Sequence, residues 1–433
     1  MELLRRQRHA FEKVVESGMR GIDGGGVGFY RITGYNWNMC LIQYVDPYRK
    51  MISTPSEGSI TRVAVAVAVC LLILSTFPYN CKSGESDPPP VRSDKAKNVI
   101  LFIGDGMGFA QVRAAGLYAS GNSGTLSFES FPHNGSISTN DAEGRTTDSA
   151  AAATAMATGV KVLNGVIAME IPGSGRPLET ILEQYKAMGK RTGLVTTTFI
   201  AHATPAAFAA HTPRRDNYDN IVSDYLRKSR PNILFGGGKY ISGDAARRAG
   251  YTVVVDRAGL MALDKKKETM VAGLFGEEHM PFESDGPGPL PRLSDMTRVA
   301  LQILGDHPGG FFLMVEGGRI DHACHVNDIS RAVLETIEFS NAVVEAIEWS
   351  KGRTDTLIVV SADHETGGLR VLKNNGAGVV PTVSWGSADH TPQNIPVYAW
   401  GPNAESISGM HENTHIFTVI KQASGELLPA ALP

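Results

Sequence analysis

Short, nearly continuous apolar runs alternate with longer helical patterns from residue 98 onward. Five of these runs are rich in Val, Ile, Leu and Phe and have the length of strands that are covered on both faces. They are residues 98–103, 192–198, 310–316, 356–362 and 395–400. The pattern predicts an α/β fold, a single large domain with a mostly parallel central sheet and helices on both faces.

Two helical patterns stand out between the apolar runs. The longer pattern covers residues 328–351, and Asp328 is its predicted N-cap. Its apolar positions are 329, 333, 334, 337, 344 and 347. The shorter pattern is rich in alanine, begins at Ser149 and ends at Gly159. Ser149 has two interpretations: it caps this helix, or it is a nucleophile placed where a helix N-terminus favours an alkoxide and a bound phosphate.

The N-terminal part of the chain shows a different pattern. Residues 1–50 lack periodicity and are interpreted as a non-native or disordered extension, with Met51 as the hypothetical start. The apolar run at 63–77 is shorter than the roughly 20 residues of a membrane span and fits a secretory signal better. We therefore expect an export signal or lipoprotein-type signal at 51–81, which leaves lipidation of Cys81 open. A periplasmic, cell-surface or secreted protein follows from this expectation.

The remaining segments and the composition add three expectations. Residues 82–96 are polar and rich in proline and form a predicted linker, which leaves 97–425 as the catalytic domain. Charge is nearly balanced, with 41 Lys+Arg against 44 Asp+Glu, and no basic stripe suggests a nucleic-acid partner. Cys324 is the one cysteine of the long C-terminal part, so a disulfide framework is not expected. We interpret Cys324 as a small buried apolar residue rather than a metal ligand.

Carboxylates and imidazoles cluster where the predicted strands end. Because open α/β sheets bind ligands at the carboxyl ends of their strands, we expect these side chains to meet at one edge of the sheet. Asp and His without clustered Cys favour a catalytic zinc site, and nearby hydroxyl and carboxylate oxygens favour magnesium. The residues are Asp105, His202, Thr204, Glu316, Asp321, His322, His325, Asp363, His364 and His390.

This combination of residue types indicates phosphoryl transfer. Two metal ions about 4 Å apart can stabilise both the attacking and the leaving oxygen of an in-line displacement at phosphorus. Such a site lacks only a nucleophile, and Ser149 lies at a helix N-terminus where its alkoxide would be favoured. The context of the whole chain therefore favours the nucleophile interpretation of Ser149.

Several stretches in this order make the chain resemble the alkaline phosphatase family over about residues 97–420. They are GDGMG, TTDSAAAATAMATG, HATPAAFAAH, EGGRIDHACH, SADHETGG and a late His before a strand and GP. The resemblance implies hydrolysis of phosphate monoesters through phosphoserine at Ser149, with two Zn²⁺ and one Mg²⁺ as cofactors. It also implies a homodimer. Attachment to a membrane through the N-terminal signal or a lipid is left open.

The resemblance also implies the roles of the individual site residues. The implied zinc ligands are Asp321, His325 and His390 at one site and Asp105, Asp363 and His364 at the other. The implied magnesium ligands are Asp105, Thr204 and Glu316. Arg215 is implied to grip two phosphate oxygens and Asp148 to orient it, and Arg214 is the rival for the role of Arg215. A guanidinium supplies the bidentate geometry that an ammonium lacks.

The chain departs from the best-known bacterial members of the family at two positions. His202 and His322 stand where those members have Asp and Lys, which is similar to the animal enzymes. We expect His202 to reach the third metal through water and His322 to bind phosphate or a metal-bound water. The third metal is therefore left open between magnesium, zinc and cobalt, and so is weak occupancy of that site. Only 25 residues separate His364 from His390, so the large crown insertion of the animal enzymes is not expected.

Two other functions compete with monoester hydrolysis. A phosphodiesterase or nucleotide pyrophosphatase of the same superfamily would use a threonine nucleophile, and Thr147 is present, but the register of DSAAAATA favours Ser149. Arg215, Thr204 and Glu316 favour a dianionic phosphoryl group, hence a monoester. A catalytically dead phosphate-binding protein would lack a ligand or the nucleophile, and every expected position is filled here.

Overall fold

The computed structural model describes residues 95–425. The predicted extension, the predicted signal and residues 82–94 of the predicted linker lie outside the described residues, and the predicted domain limits stay predictions. Within 95–425, no helix combines the length and the apolar character that crossing a bilayer requires.

A ten-stranded sheet forms the centre of the described part, with helices packed on both faces. The strands follow the spatial order β14-β2-β13-β8-β1-β7-β3-β4-β6-β5. All of them run parallel except β13, which is antiparallel to both β2 and β8. The strands are β1 (Asn98–Gly104), β2 (His133–Ser138), β3 (Arg191–Phe199), β4 (Ile233–Gly237), β5 (Thr252–Val254), β6 (Val271–Leu274), β7 (Phe311–Glu316), β8 (Thr356–Ala362), β13 (Ile395–Trp400) and β14 (Gly409–Glu412). This arrangement confirms the predicted fold class.

Four shorter strands lie outside the large sheet, between the ends of β8 and β13. They form two antiparallel pairs: β9 (Glu365–Thr366) with β12 (His390–Thr391), and β10 (Arg370–Lys373) with β11 (Thr382–Ser384). These two short strand pairs are the only strands between β8 and β13 in the described residues, which is the stretch where the animal enzymes are expected to carry the crown insertion. The expected absence of a large insertion at this point therefore agrees with the fold.

Helices connect most of the strands. Those of the described residues are α1 (Phe109–Ser120), α2 (Ser149–Thr158), α3 (Ile181–Ala187), α4 (Ala203–Ala209), α5 (Tyr218–Asp224), α6 (Gly243–Arg248), α7 (Arg257–Ala262), α8 (Leu293–Leu304), α9 (Arg319–His325), α10 (Ile329–Ser350) and α11 (His415–Ala423). A π-helix at Tyr225–Ser229 continues α5, and 3-10 turns lie at Ser127–Ser130, Glu283–Asp285 and Ala404–Ile407.

The alanine helix α2 is buried along its whole length and packs against α4. Small side chains let the two helices approach closely, which places the start of α2 firmly at the sheet edge. Asp148, not Ser149, is the N-cap, because its side chain accepts a hydrogen bond from the backbone N–H of Ala151. At the other end, Gly159 has a left-handed φ of 74°, and a Cβ there would lie 2.7 Å from the ring of Phe417. The cap by Asp148 leaves the Ser149 hydroxyl free of a capping role.

Helix α10 has the predicted bounds and the predicted N-cap, but a different face of the helix is buried from the one that the sequence predicted. Asp328 accepts a hydrogen bond from the backbone of Arg331, while Val344, a predicted apolar position, is 39% exposed. The carboxylates of Glu335 and Glu338 are buried instead, and they accept hydrogen bonds from the backbone N–H groups of Glu283 and Ser294. The apolar residues of the buried face are themselves periodic, but the two glutamates within it, whose carboxyl groups these hydrogen bonds satisfy, interrupt the pattern. The face includes Ala332, Phe339, Ala342, Val343 and Ala346.

Candidate metal centre and active site

The predicted site residues meet at the carboxyl edge of the sheet. Asp105 follows β1 directly, Glu316 ends β7, and Asp363 and His364 follow β8. These three strands are neighbours, and Ile103 of β1 pairs with Glu316 of β7. The first turn after each strand therefore delivers its carboxylate or imidazole to the same place.

His390 reaches this edge by a route that the sequence pattern did not predict. It precedes β13, and a residue before a parallel strand would lie at the opposite edge of the sheet. Because β13 runs antiparallel to β8, its N-terminal end lies beside the C-terminal end of β8. The short pairing of His390 with Thr366 then fixes the position of the imidazole.

The first cluster joins Asp321, His325 and His390. Asp321 and His325 lie one turn apart on α9, and Asp321 Oδ2 is 3.2 Å from His325 Nε2. His390 Nε2 lies 3.6 Å from Asp321 Oδ1 and 3.1 Å from His325 Nε2. The hydrogen bond that His325 donates to the Asp321 carboxylate raises the pKa of His325 to about 9, whereas burial lowers the pKa of His390. Two imidazole nitrogens that face each other beside one carboxylate form a donor set that suits zinc.

The second cluster joins Asp105, Asp363 and His364, all fully buried. His364 Nε2 lies 3.5 Å from Asp105 Oδ1 and 3.2 Å from Asp363 Oδ2. Asp321 also approaches this cluster, because ligand atoms of Asp105, Asp321 and His364 lie within 4.8 Å of one another. Burial, followed by the charge of Asp363, raises the pKa of Asp105 well above its usual range. Charged carboxylates at this burial require a compensating cation.

The third cluster joins Asp105, His202 and Glu316, whose ligand atoms also lie within 4.8 Å of one another. Burial raises the pKa of Glu316 to about 7 and lowers the pKa of His202 well below its usual range. Thr196 and Thr198 donate hydrogen bonds to Glu316 Oε2 and hold it in place. The structure therefore brings the His202 ring near these carboxylates, and the expected contact of His202 with the third metal through water stays a prediction.

Unpaired buried atoms test whether these residues fit metal ions. The polar atoms of the three clusters that are buried without a hydrogen-bond partner are Asp105 Oδ1, Asp105 Oδ2, His202 Nδ1, Thr204 Oγ1, Glu316 Oε1 and Asp363 Oδ2. A buried polar atom without a partner is costly, and such atoms are rare in native proteins. Six of them concentrated around Thr204 and the second and third clusters fit divalent cations there, and the donors include every predicted magnesium ligand.

Ser149 lies beside the second cluster. It is the first residue of α2, it is buried, and its Oγ is 3.3 Å from His364 Nε2. Thr147, two residues earlier, instead directs its hydroxyl to the backbone carbonyl of Asp148. The hydroxyl of Ser149 is therefore the one that faces the second cluster.

Arg215 lies beside His202 of the third cluster and is held by Asp148. Its Nη1 is 2.9 Å from Asp148 Oδ2, and its Nη2 is 3.3 Å from His202 Nε2. Asp148 thus accepts two kinds of hydrogen bond. One carboxylate oxygen accepts from the backbone of α2, and the other accepts from the guanidinium of Arg215. The rival Arg214 is 75% exposed along its side chain and pairs with Asp216. Only Arg215 points at the cluster of site residues.

Comparison with known proteins decides the family. The alkaline phosphatase family model matches residues 96–241, 235–382 and 371–425. Alkaline phosphatase 3 of Bacillus subtilis is 34% identical, in an alignment that covers 75% of this chain and 88% of that protein. The chain belongs to the alkaline phosphatase family.

Solved structures agree with this assignment. Alkaline phosphatase from the Antarctic bacterium TAB5 matches with a TM-score of 0.68 and 30% identity, covering 76% of this chain and 99% of that one. A variant of the TAB5 enzyme in which a histidine is replaced by aspartate has Mg bound in its M3 site. The protein is thus a metal-binding hydrolase of this family, and the assignment of individual site residues stays a prediction.

Several residues around the centre of this enzyme were missed by the sequence analysis. His279, from the loop after β6, packs its ring 4.5 Å from His322 and 5.7 Å from His202. Burial lowers the pKa of His279 to about 3 and that of His322 to about 4, so both rings are neutral in this setting. Thr366 donates to Asp321 Oδ1 and steadies that carboxylate. Thr366 belongs to the SADHETGG stretch and could have been predicted as a site residue, whereas no motif around His279 indicates that it lies near the site.

The remaining predictions about side chains can be placed as well. Cys324 is buried and free and lies 3.8 Å from the side-chain nitrogen of Gln111, away from the donor sets. The interpretation as a small buried residue agrees with this position. His322 Nδ1 accepts a hydrogen bond from Arg319, so the ring is held beside the third cluster. The other three cysteines, Cys40, Cys70 and Cys81, lie outside the described residues.

Proposed function

We propose that this enzyme is an exported phosphomonoesterase that works through a phosphoserine at Ser149. The single observation that carries the proposal is the position of Ser149 Oγ, 3.3 Å from His364 Nε2 at the start of α2, with Arg215 and Asp148 beside it. A nucleophile, a bidentate anion binder and a set of metal donors converge there. This is the combination that displacement at a phosphate dianion requires.

The chain's own residues divide the reaction between them. Arg215 binds two nonbridging oxygens of the substrate, and Asp148 keeps the guanidinium in the orientation for that contact. Ser149 Oγ loses its proton and attacks phosphorus as the ester oxygen leaves with its bonding pair. The leaving oxygen takes up one proton, which balances the proton that the serine gives up. Water then attacks the phosphoserine, which releases inorganic phosphate and restores the serine hydroxyl. Bound zinc would lower the pKa of the Ser149 hydroxyl and of water and neutralise charge on the leaving oxygen.

The proposed metal content follows from the three donor sets. Asp321, His325 and His390 hold one zinc, and Asp105, Asp363 and His364 hold the other. Glu316, Thr204 and Asp105 offer oxygens that suit magnesium at the third site, while the nearby His202 adds a nitrogen that suits zinc or cobalt. Elemental analysis of the protein after dialysis against each metal identifies the third ion.

An assay with paired substrates tests the proposed function. The purified full-length protein is given p-nitrophenyl phosphate and bis-p-nitrophenyl phosphate in zinc and magnesium, with EDTA in a parallel sample. We expect strong preference for the monoester and loss of the activity in EDTA. Preference for the diester would replace the proposal with a phosphodiesterase. Stoichiometric phosphate binding without turnover of either substrate would indicate a catalytically dead binding protein.

Replacing Arg215 with alanine is expected to weaken phosphate binding and to leave measurable turnover. Charge-assisted bidentate bonds of this kind support a loss of roughly tenfold to a hundredfold in affinity. The KM for p-nitrophenyl phosphate and the inhibition constant of inorganic phosphate should rise together. Arg214→Ala is the matched control, because Arg214 is exposed and bound to Asp216, and it should leave both constants unchanged. The roles of the two arginines are interchanged if only Arg214→Ala weakens phosphate inhibition.

Export and a homodimer are further parts of the proposal, while lipidation of Cys81 is left open. They rest on the pattern of residues 51–81 and on the family. N-terminal sequencing of the exported protein tests the signal, and a first residue upstream of 63 would contradict it. Light scattering of the purified protein tests the homodimer.

A further inference from the structure

An aromatic cluster that the proposed chemistry does not use lies beside Arg215. We call Phe199, Tyr218 and Tyr240 the aromatic platform. The rings of Tyr218 and Tyr240 stack with centroids 4.0 Å apart and planes only 14° from parallel. Phe199 packs its ring against both, at 5.5 Å from Tyr218 and 5.3 Å from Tyr240. Tyr240 is nevertheless 45% exposed, so the platform reaches the surface with a large planar side chain.

The platform is connected to the phosphate-binding group through two short contacts. Phe199, the last residue of β3, packs edge-on against the ring of His202 at 5.2 Å. His202 Nε2 in turn lies 3.3 Å from the guanidinium of Arg215. Tyr218 begins α5 three residues after Arg215, and its hydroxyl is close enough to that guanidinium for the two to interact electrostatically. The platform therefore forms the rim of the candidate active site next to Arg215.

The backbone of Tyr240 is held in an unusual conformation. Its φ is +70°, in the left-handed region that bulky residues rarely adopt and that is often found at functional sites. Tyr240 also lines a cavity of about 690 Å³, together with Lys239, Val255 and Arg247. Lys239 is already paired with Glu278 at 2.7 Å, so it steadies the loop rather than offering a free charge. The fold thus maintains an exposed ring at the edge of an open cavity.

We propose that the aromatic platform binds the planar part of the leaving group, so that the enzyme prefers nucleoside monophosphates over sugar phosphates that lack a base. This inference rests on the proposed phosphomonoesterase function. The proposal places the alcohol portion of the ester on the Arg215 side of the bound phosphate, toward the rim. A base stacked on Tyr240 gains binding energy in the ground state and the transition state alike, which raises kcat/KM. Stacking tolerates any base, because every base has a π-face.

The test compares two substrates that share the same leaving oxygen. Adenosine 5′-monophosphate and ribose 5-phosphate both release a ribose 5′ alkoxide, and only the first carries a planar base. We expect the wild-type, metal-loaded, full-length enzyme to favour the nucleotide in kcat/KM by about tenfold or more, given the usual strength of base–aromatic stacking. Tyr240→Asn should remove most of this preference, since asparagine tolerates a left-handed backbone but has no ring. Tyr240→Phe should keep the preference, because it retains the ring and loses only the hydroxyl.

Two controls separate the platform from the rest of the site. Met410→Ala removes another exposed apolar side chain, on β14, and should leave the preference intact. The inhibition constant of inorganic phosphate should stay unchanged in Tyr240→Asn, which reports on the phosphate grip alone. Equal kcat/KM for the two substrates in wild type, or an unchanged preference in Tyr240→Asn, overturns the platform while monoester hydrolysis stands. Failure to hydrolyse these substrates and p-nitrophenyl phosphate overturns the proposed function and the inference with it.

Discussion

Ser149→Ala is expected to lower kcat for p-nitrophenyl phosphate on the order of a thousandfold and to abolish covalent labelling by phosphate. The hydroxyl of Ser149 is the only one of the two nearby candidates that faces the second cluster, since Thr147 donates to a backbone carbonyl. Residual hydrolysis is expected because Arg215 and the metal donors remain able to bind the phosphate. Mass spectrometry of acid-quenched protein would measure the phosphoserine, and steady-state kinetics would measure the residual rate.

Two comparisons make this result specific to the nucleophile. Alanine is the better helix former and Asp148 still caps α2, so the melting temperature of Ser149→Ala should not fall. Thr147→Val keeps the shape of the side chain and should retain most of the activity and the phosphoserine. Wild-type rates in Ser149→Ala, combined with loss of activity in Thr147→Val, would transfer the nucleophile to Thr147 and favour a diesterase.

Removal of the metal ions is expected to abolish activity and to lower the melting temperature strongly. Without cations, the buried carboxylates of Asp105, Asp363 and Glu316 have unpaired oxygens, and burial raises the pKa of Asp105 and Glu316, which favours their protonated forms. A cation that binds only the folded state at a thousandfold excess over its Kd contributes about 4 kcal/mol of stability per site. Calorimetry with EDTA, followed by addition of zinc and magnesium, would measure the loss and its reversal.

The variant Asp105→Asn is a control for this experiment, and the metal affinity is expected to depend on pH. Asp105→Asn removes a buried charge, so the metal-free variant should melt no lower than metal-free wild type but should gain much less from added metal. Since the pKa of Asp105 is raised in the metal-free fold, its ionised form binds metal at the expense of a proton. Metal affinity should therefore fall as pH is lowered. A melting temperature that EDTA leaves unchanged would contradict the assignment of these carboxylates as ligands.

The sheet was predictable where strands are buried on both faces. The five apolar runs correspond to β1, β3, β7, β8 and β13. The strands that were missed give weaker signals for physical reasons. Strand β2 is mostly half-buried and β14 mostly exposed, and β4 and β6 are short and contain glycine, so none has a long apolar run. The direction of β13 carries no signature in its own residues, because direction is set by which neighbour the strand pairs with.

The site was predictable to the extent that its residues directly follow strands. Asp105, Glu316 and Asp363 need only the rule that strand ends of a parallel sheet converge. His279 is different, since it comes from a loop after β6 and reaches the centre only through tertiary packing against His322. The proximity of His202 to Glu316 likewise depends on the angle between β3 and α4, and this angle cannot be predicted from the sequence.

The antiparallel course of β13 has a consequence for how the enzyme is synthesised. His390 belongs to the first cluster but comes from the chain just before β13, whereas Asp105 follows β1. A ribosome must therefore deliver nearly the whole domain before the first cluster can form, and a nascent chain that ends before His390 lacks one of its three residues. Metal uptake then marks the completion of folding, and truncated products have no complete centre with which to hydrolyse phosphate esters.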